Sequence, residues 1–232
     1  MERLYNGFTL ELPPGAFPLS TDSILLSGFV RLPKQAQVLD LGSGCGTLGH
    51  LLCAKDSGCA VTGLELDETA HQAALENIRR NSLEQRLFSI CADLRTIPQR
   101  FSPGSFHCCV SNPPYFSGGP ASQTLANARR EDCCSLKELF ASAAWALRYG
   151  GDFFLVHKPE RLAELIARGS DVNLEAKRLL LLRHKENGPI ALICLQLRKG
   201  GRPGLNIEEA SLFDKNHEPT AFYKSVYHSL ED

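Results

Sequence analysis

An apolar run, Gln37-Val38-Leu39-Asp40-Leu41, passes directly into Gly42-Ser43-Gly44-Cys45-Gly46, a turn with glycine at every second position. Glycine takes up positive backbone dihedrals freely and carries no Cβ to collide with a neighbour. The pattern therefore reads as a strand leaving a sheet through a sharp turn, at the edge where open α/β sheets bind ligands. Beyond this turn the chain alternates strand and helix. Residues 59–66 read as a second strand and 68–81 as an alanine-rich helix. A third strand (87–91) and a short irregular piece to Phe101 come next, then a fourth strand (106–110). An amphipathic helix over 135–149 is predicted to end at Gly150-Gly151. A fifth strand (153–157) and a helix over 159–168, with Pro159 in its first turn, complete the series. Repeated βα units dictate an α/β fold with a doubly wound parallel sheet covered on both faces. Two further strands, 174–183 and 190–197, flank Asn187-Gly188-Pro189 as a hairpin, which adds an antiparallel strand. Ahead of the alternation, residues 7–12 read as a short strand stopped by Pro13-Pro14-Gly15. Ser20-Thr21-Asp22 then offers N-cap chemistry for a helix through Phe29 that ends before Pro33. Residues 199–232 are polar, with a helix expected near 221–228.

The chain of 232 residues is long enough for one sizeable core, and 43% apolar with 22% charged residues is the balance of a globular protein. The net charge of −1 excludes bulk attraction to nucleic acid. Between Lys177 and Arg202, however, seven cations face a single anion, Glu186, a local excess of 7 − 1 = +6. Such a run is either a solvated face or a phosphate-facing edge. The nine cysteines contain no C-x-x-C pair, so no metal site is expected; they read as small core residues in a reducing compartment. The start, Met1-Glu2-Arg3-Leu4-Tyr5, lacks the basic-then-apolar pattern of a signal peptide, and no apolar run reaches membrane-spanning length. The expectation is a cytoplasmic protein without membrane association. Its oligomeric state is not encoded in any feature of the sequence.

Acids stand at three successive strand ends: Asp40 in the glycine turn, Glu65 in Gly63-Leu64-Glu65-Leu66-Asp67, and Asp93 in Cys91-Ala92-Asp93-Leu94. The turn includes a literal G-x-G-x-x-G (Gly44, Gly46, Gly49), the fingerprint of nicotinamide-dinucleotide sites. Asp40 and the additional Gly42 make it D-x-G-x-G-x-G. A carboxylate facing the ligand there suits a cationic amino-acid end better than a pyrophosphate. Glu65 is placed to accept both hydroxyls of a ribose in either cofactor class. Asp93 is placed to accept an adenine amino group. Taken singly, each acid is equally suited to terminating a strand or capping a helix.

Residues 35–160 resemble the class I S-adenosylmethionine-dependent methyltransferases, on the glycine turn, the two later acids, and Asn112-Pro113-Pro114-Tyr115 after the fourth strand. The resemblance implies a Rossmann-like, seven-stranded sheet with its last strand antiparallel and S-adenosyl-L-methionine as cofactor. It makes Asp40, Gly42, Gly44, Gly46, Glu65, Leu66, Asp93, Leu94 and Asn112 the cofactor-binding candidates. It further implies a catalytic domain over residues 35–232, preceded by a strand and helix in 1–34 that pack on the cofactor site.

N-P-P-Y at this place resembles the enzymes that methylate nitrogen conjugated to a planar system. Such an amine is a poor nucleophile, because its lone pair is delocalised. The Asn112 side-chain oxygen and the Pro113 carbonyl can each accept one N–H, drawing the nitrogen toward tetrahedral geometry. Pro113 and Pro114 stiffen the loop, and Tyr115 offers a face for a flipped base. The same residues would also make an ordinary turn after a strand.

Phe17-Pro18-Leu19-Ser20-Thr21-Asp22-Ser23-Ile24-Leu25-Leu26 resembles the T-D-x-I-L-L segment of bacterial tRNA1(Val) (adenine-37-N6) methyltransferases. By that resemblance Thr21 and Asp22 reach the amino-acid end of the cofactor; otherwise they cap a helix. The loop with Arg129 and Arg130 resembles the same family, which makes these two, with Lys177, Arg178, Arg183 and Lys185, the candidate tRNA contacts. The expected reaction is methyl transfer to the N6 amine of an adenine in tRNA. Alternatives are a release-factor glutamine and the N2 amine of a ribosomal-RNA guanine. From other classes come a nicotinamide-dependent oxidoreductase and an RNA-binding protein without turnover. The roughly 35 residues before the glycine turn leave no room for the helical N-terminal domain usual in glutamine methyltransferases.

Overall fold

The computed structural model describes residues 2–4, 7–13, 20–113 and 134–227. Two short strands, β1 (Glu2–Arg3) and β2 (Thr9–Leu10), pair antiparallel ahead of helix α1 (Thr21–Phe29). The alternation then runs β3 (Gln37–Leu41), α2 (Thr47–Lys55), β4 (Ala60–Glu65), α3 (Glu68–Arg80), β5 (Leu87–Cys91), α4 (Ile97–Arg100) and β6 (Phe106–Ser111). It continues through α5 (Leu136–Ala146), β7 (Leu147–His157), α6 (Leu162–Asp171), β8 (Leu174–Lys185), β9 (Ile190–Lys199), β10 (Asn206–Phe213) and α7 (Ala221–Tyr227).

The main sheet has the order β10-β8-β9-β7-β6-β3-β4-β5. All neighbours are parallel except β9, which lies antiparallel between β7 and β8. The chain moves from β3 outward to β4 and β5, then returns to place β6 on the other side of β3. This reversal creates a crevice between β3 and β6 at the carboxyl edge, the position where doubly wound sheets bind ligands.

Strand alternation divides the core between the two faces. Along β7, Phe153 and Leu155 join the cluster under α5 and α6, whereas Phe154 and Val156 join the cluster with α1 and α2. Phe140 of α5 meets Phe153 edge to face at 5.3 Å, and both are fully buried. Each ring contributes about 2–3 kcal/mol by leaving water.

Two local expectations change. The helix predicted to end at Gly150-Gly151 stops at Ala146, and both glycines lie inside β7. Leu147 already pairs with Phe106, while Asp152 pairs with Cys108, so the chain between them bulges out of register. Gly150, at φ +78°, supplies the left-handed residue that this bulge requires. Beyond the seven expected strands, an eighth, β10, adds parallel to β8. Among the described residues no helix is long and apolar enough to cross a membrane.

Candidate active site

The carboxyl ends of β3, β4, β5 and β6 lie side by side, because Asp40 pairs in register with Gly63 and Val110, and Glu65 with Cys91. The glycine turn leaves β3 with Gly42, Gly44 and Gly46 at φ +76°, +55° and +83°. A Cβ on Gly42 or Gly44 would meet no described atom within 4 Å, so the turn forms an open cradle at this edge. Gly42 and Ser43 donate their N–H groups to the Leu64 carbonyl at 2.9 and 3.0 Å, which ties the turn to β4.

Glu65 is fixed through both oxygens. Gly44 N–H donates to Oε2 at 2.7 Å and Asp67 N–H donates to Oε1 at 2.8 Å. Each oxygen keeps a second lone pair, the arrangement needed to receive a vicinal diol. The next side chain, Leu66, is 46% exposed, an apolar face beside the acid. Asp40 is 2% exposed, and its Oδ2 has no hydrogen-bond partner among the described residues. Burial, reinforced by the nearby Glu65 carboxylate, pushes its acid up to about 8. A buried oxygen without a donor beside an open cradle is suited to a cationic ligand group.

Asp93 follows β5 and caps the short helical turn Leu94–Thr96 by accepting the Arg95 N–H at 2.8 Å. The Arg95 guanidinium also clasps both carboxylate oxygens and holds the acid below its usual range. An adenine amine arriving at Asp93 must share an oxygen with Arg95 or displace it.

Asn112 follows β6 directly. Its Nδ2 donates to Ser23 Oγ at 3.0 Å and to Ser20 Oγ at 3.3 Å. Ser20 is the N-cap of α1, accepting the Ser23 N–H, so Thr21 and Asp22 are first-turn residues and not the cap. Pro113 is the last described residue of the clamp; Tyr115, Arg129 and Arg130 lie outside the described residues.

Cations of the run have local partners. Arg178 lies over the Phe29 ring at 4.4 Å and pairs with Glu208, while Arg183 pairs with Glu209. Lys177 donates to the Arg202 carbonyl and Lys185 to His217. Arg198 forms a two-pronged pair with Asp152. The unexpected β10 supplies Glu208 and Glu209 beside β8, which pair with two of the seven cations, Arg178 and Arg183.

Four side chains make contacts that the local sequence pattern does not specify. Ser20 and Ser23 meet Asn112 across 92 and 89 residues of sequence. Asn77, fully buried on α3, accepts the Glu11 N–H at 2.8 Å and donates to the carbonyls of Glu11 (3.0 Å) and Cys45 (3.3 Å). One turn on, Asn81 accepts the Thr9 N–H at 2.9 Å and donates to the Thr9 carbonyl at 2.8 Å. Asn77 inside α3 and Asn81 at its C-cap, four residues apart, are the trace they leave in the sequence.

The doubly wound sheet with its carboxyl-edge crevice, together with the family match below, places the chain among the S-adenosylmethionine-dependent methyltransferases. Solved structures carry the same fold. A predicted O-methyltransferase from Agrobacterium tumefaciens superposes with a TM-score of 0.76 at 19% identity, covering 90% of this chain and 96% of its own. Geranyl diphosphate C-methyltransferase from Streptomyces coelicolor, solved with S-adenosyl-L-homocysteine, gives 0.58 at 11% identity over 76% of each chain. The chain belongs to the methyltransferase small domain family, whose model matches residues 20–167. Its curated relatives include the tRNA1(Val) (adenine(37)-N6)-methyltransferase of Shewanella halifaxensis, 33% identical over 71% of this chain and 67% of the relative. The enzyme of the same name from Bacteroides fragilis is 31% identical over 80% and 78%.

Proposed function

We propose that this enzyme transfers a methyl group from S-adenosylmethionine to the N6 amine of an adenine in tRNA, at anticodon-loop position 37 as named for its relatives. The observation that carries the reading is Asn112 at the end of β6, whose Nδ2 donates to two serine hydroxyls while its Oδ1 meets no donor among the described residues. S-adenosylmethionine, when bound, supplies an electrophilic methyl on a cationic sulfur. Glu65 receives the ribose hydroxyls, Leu66 and Leu94 flank the adenine with Asp93 at its amine, and Asp40 lies toward the cationic end. Asn112 Oδ1 and the Pro113 carbonyl accept the two N–H groups of the substrate amine, which localises the lone pair on nitrogen. The methylated nitrogen is strongly acidic and loses its proton without a dedicated base. Tyr115 stacks the base, and Arg129 and Arg130 contact phosphates.

The test is incubation of the pure protein with labelled S-adenosylmethionine and, in parallel, total tRNA or total protein, followed by mass spectrometry of nucleosides and peptides. N6-methyladenosine in one tRNA species is the expected product. Asn112→Ala should lower turnover by at least about 100-fold, the scale of losing one preorganised electrostatic contact, with cofactor affinity retained. Label on guanine, or on a protein glutamine, would overturn the substrate assignment.

A further inference from the structure

An asparagine that must present its oxygen to an amine has a weakness: its amide is nearly symmetric in shape, and rotation by half a turn replaces the acceptor by a donor. The surroundings of Asn112 resolve this. Its Nδ2 faces Ser23 Oγ and Ser20 Oγ, offering two hydrogens to two oxygen acceptors. Ser20 Oγ also donates to Ser23 Oγ, at the long distance of 3.3 Å. Turned over, the Asn112 oxygen would meet the Ser23 hydroxyl hydrogen, and that of Ser20 only once Ser20 left Ser23 Oγ, while Nδ2 would point at the incoming amine. The hydroxyl pair therefore selects one orientation. Ser23 is 6% exposed in the first turn of α1, so water does not readily replace it.

We propose that Ser23, together with Ser20, is a positioning residue for methyl transfer, holding the Asn112 amide with Oδ1 toward the substrate amine. The proposal rests on the reading of Asn112 as the amine acceptor. Ser20 also caps α1, so its removal disturbs the helix itself; Ser23 is the discriminating position.

The test compares wild type, Ser23→Ala and Ser23→Thr, each checked for folding by circular dichroism. Single-turnover methylation of tRNA should slow by about 10- to 100-fold in Ser23→Ala, part of the loss expected for removing the acceptor itself. Affinities for cofactor and tRNA should hold within about twofold. Ser23→Thr, which keeps the hydroxyl, should restore most of the rate. A rate loss accompanied by an equal loss of cofactor affinity, and not rescued by threonine, would overturn the proposal as general damage. A second readout needs no substrate. In protein labelled with ¹⁵N-asparagine, the Asn112 side-chain NH2 pair, assigned by its absence in Asn112→Ala, should exchange slowly in wild type and about tenfold or more faster in Ser23→Ala. Unchanged exchange in a folded Ser23→Ala protein would refute the positioning role. Ser23-dependent exchange in an enzyme that modifies no tRNA would leave the positioning standing and remove only the substrate reading.

Discussion

Replacing Asp40 by asparagine tests whether the site is built for a cation. The folded, cofactor-free protein holds Asp40 mainly as the neutral acid, because burial and then Glu65 raise it from 3.8 to about 8. In the unfolded chain the same group ionises near its ordinary value. Between the two values the folded state holds one more proton, so stability from this group is full below about pH 4 and is lost as pH rises toward about pH 8. The slope is about 1.4 kcal/mol per pH unit. The amide of the Asp40→Asn variant occupies nearly the same volume as the acid and cannot ionise. The difference in unfolding free energy between wild type and variant therefore isolates this one proton, all other groups cancelling. Urea denaturation without cofactor should show wild type losing about 3–4 kcal/mol relative to the variant between about pH 5 and pH 8. Cofactor binding should behave in the opposite sense. A cationic ligand group beside Asp40 favours the carboxylate, so wild-type affinity rises toward about pH 8 as the proton leaves, whereas the variant binds more weakly and without that rise. Parallel stability curves for the two proteins across this range would refute the reasoning.

Two other substitutions probe the packing of the turn and the meaning of the cation run. At Gly63, opposite the turn, an added Cβ would lie 2.6 Å from Ser43 Oγ; Gly63→Ala should cost about 1–3 kcal/mol by overpacking and weaken cofactor binding, seen by thermal melting and calorimetry. Arg178→Met should keep much of the packing on Phe29 but leave Glu208 without its ion-pair partner. A loss of about 1 kcal/mol is expected, with the salt dependence of tRNA binding unchanged; a flatter salt slope would mean that Arg178 does meet phosphate.

The sheet and the acid positions were legible because they rest on local chemistry. Glycines at alternate positions after an apolar run, and acids after later runs, are short-range patterns that survive translation into three dimensions. β10 was not legible: Asn206-Ile207-Glu208-Glu209-Ala210-Ser211 neither alternates cleanly nor forms an apolar run, because an edge strand is paired along one side only. Its two glutamates pair with Arg178 and Arg183, partners that sequence order alone does not show. The serine pair at Asn112 was hidden by distance along the chain. Ser20-Thr21-Asp22 together offered cap chemistry, of which Ser20 is the cap, but nothing local reveals that the oxygen which caps the helix also receives the Asn112 amide.

The asparagines of α3 have a consequence for how the N-terminal segment tolerates change. Asn77 and Asn81 each offer one donor and one acceptor, and they bind the main chain of Glu11 and Thr9, alternate residues, as a neighbouring strand would. The helix thus presents an imitation strand edge made of side chains. Grip of this kind reads no side-chain identity, so substitutions at Thr9 or Glu11 should be absorbed unless they introduce proline, which lacks the N–H that the grip requires. The next alternate residue is Pro13, and with it the docked register has no further N–H to offer.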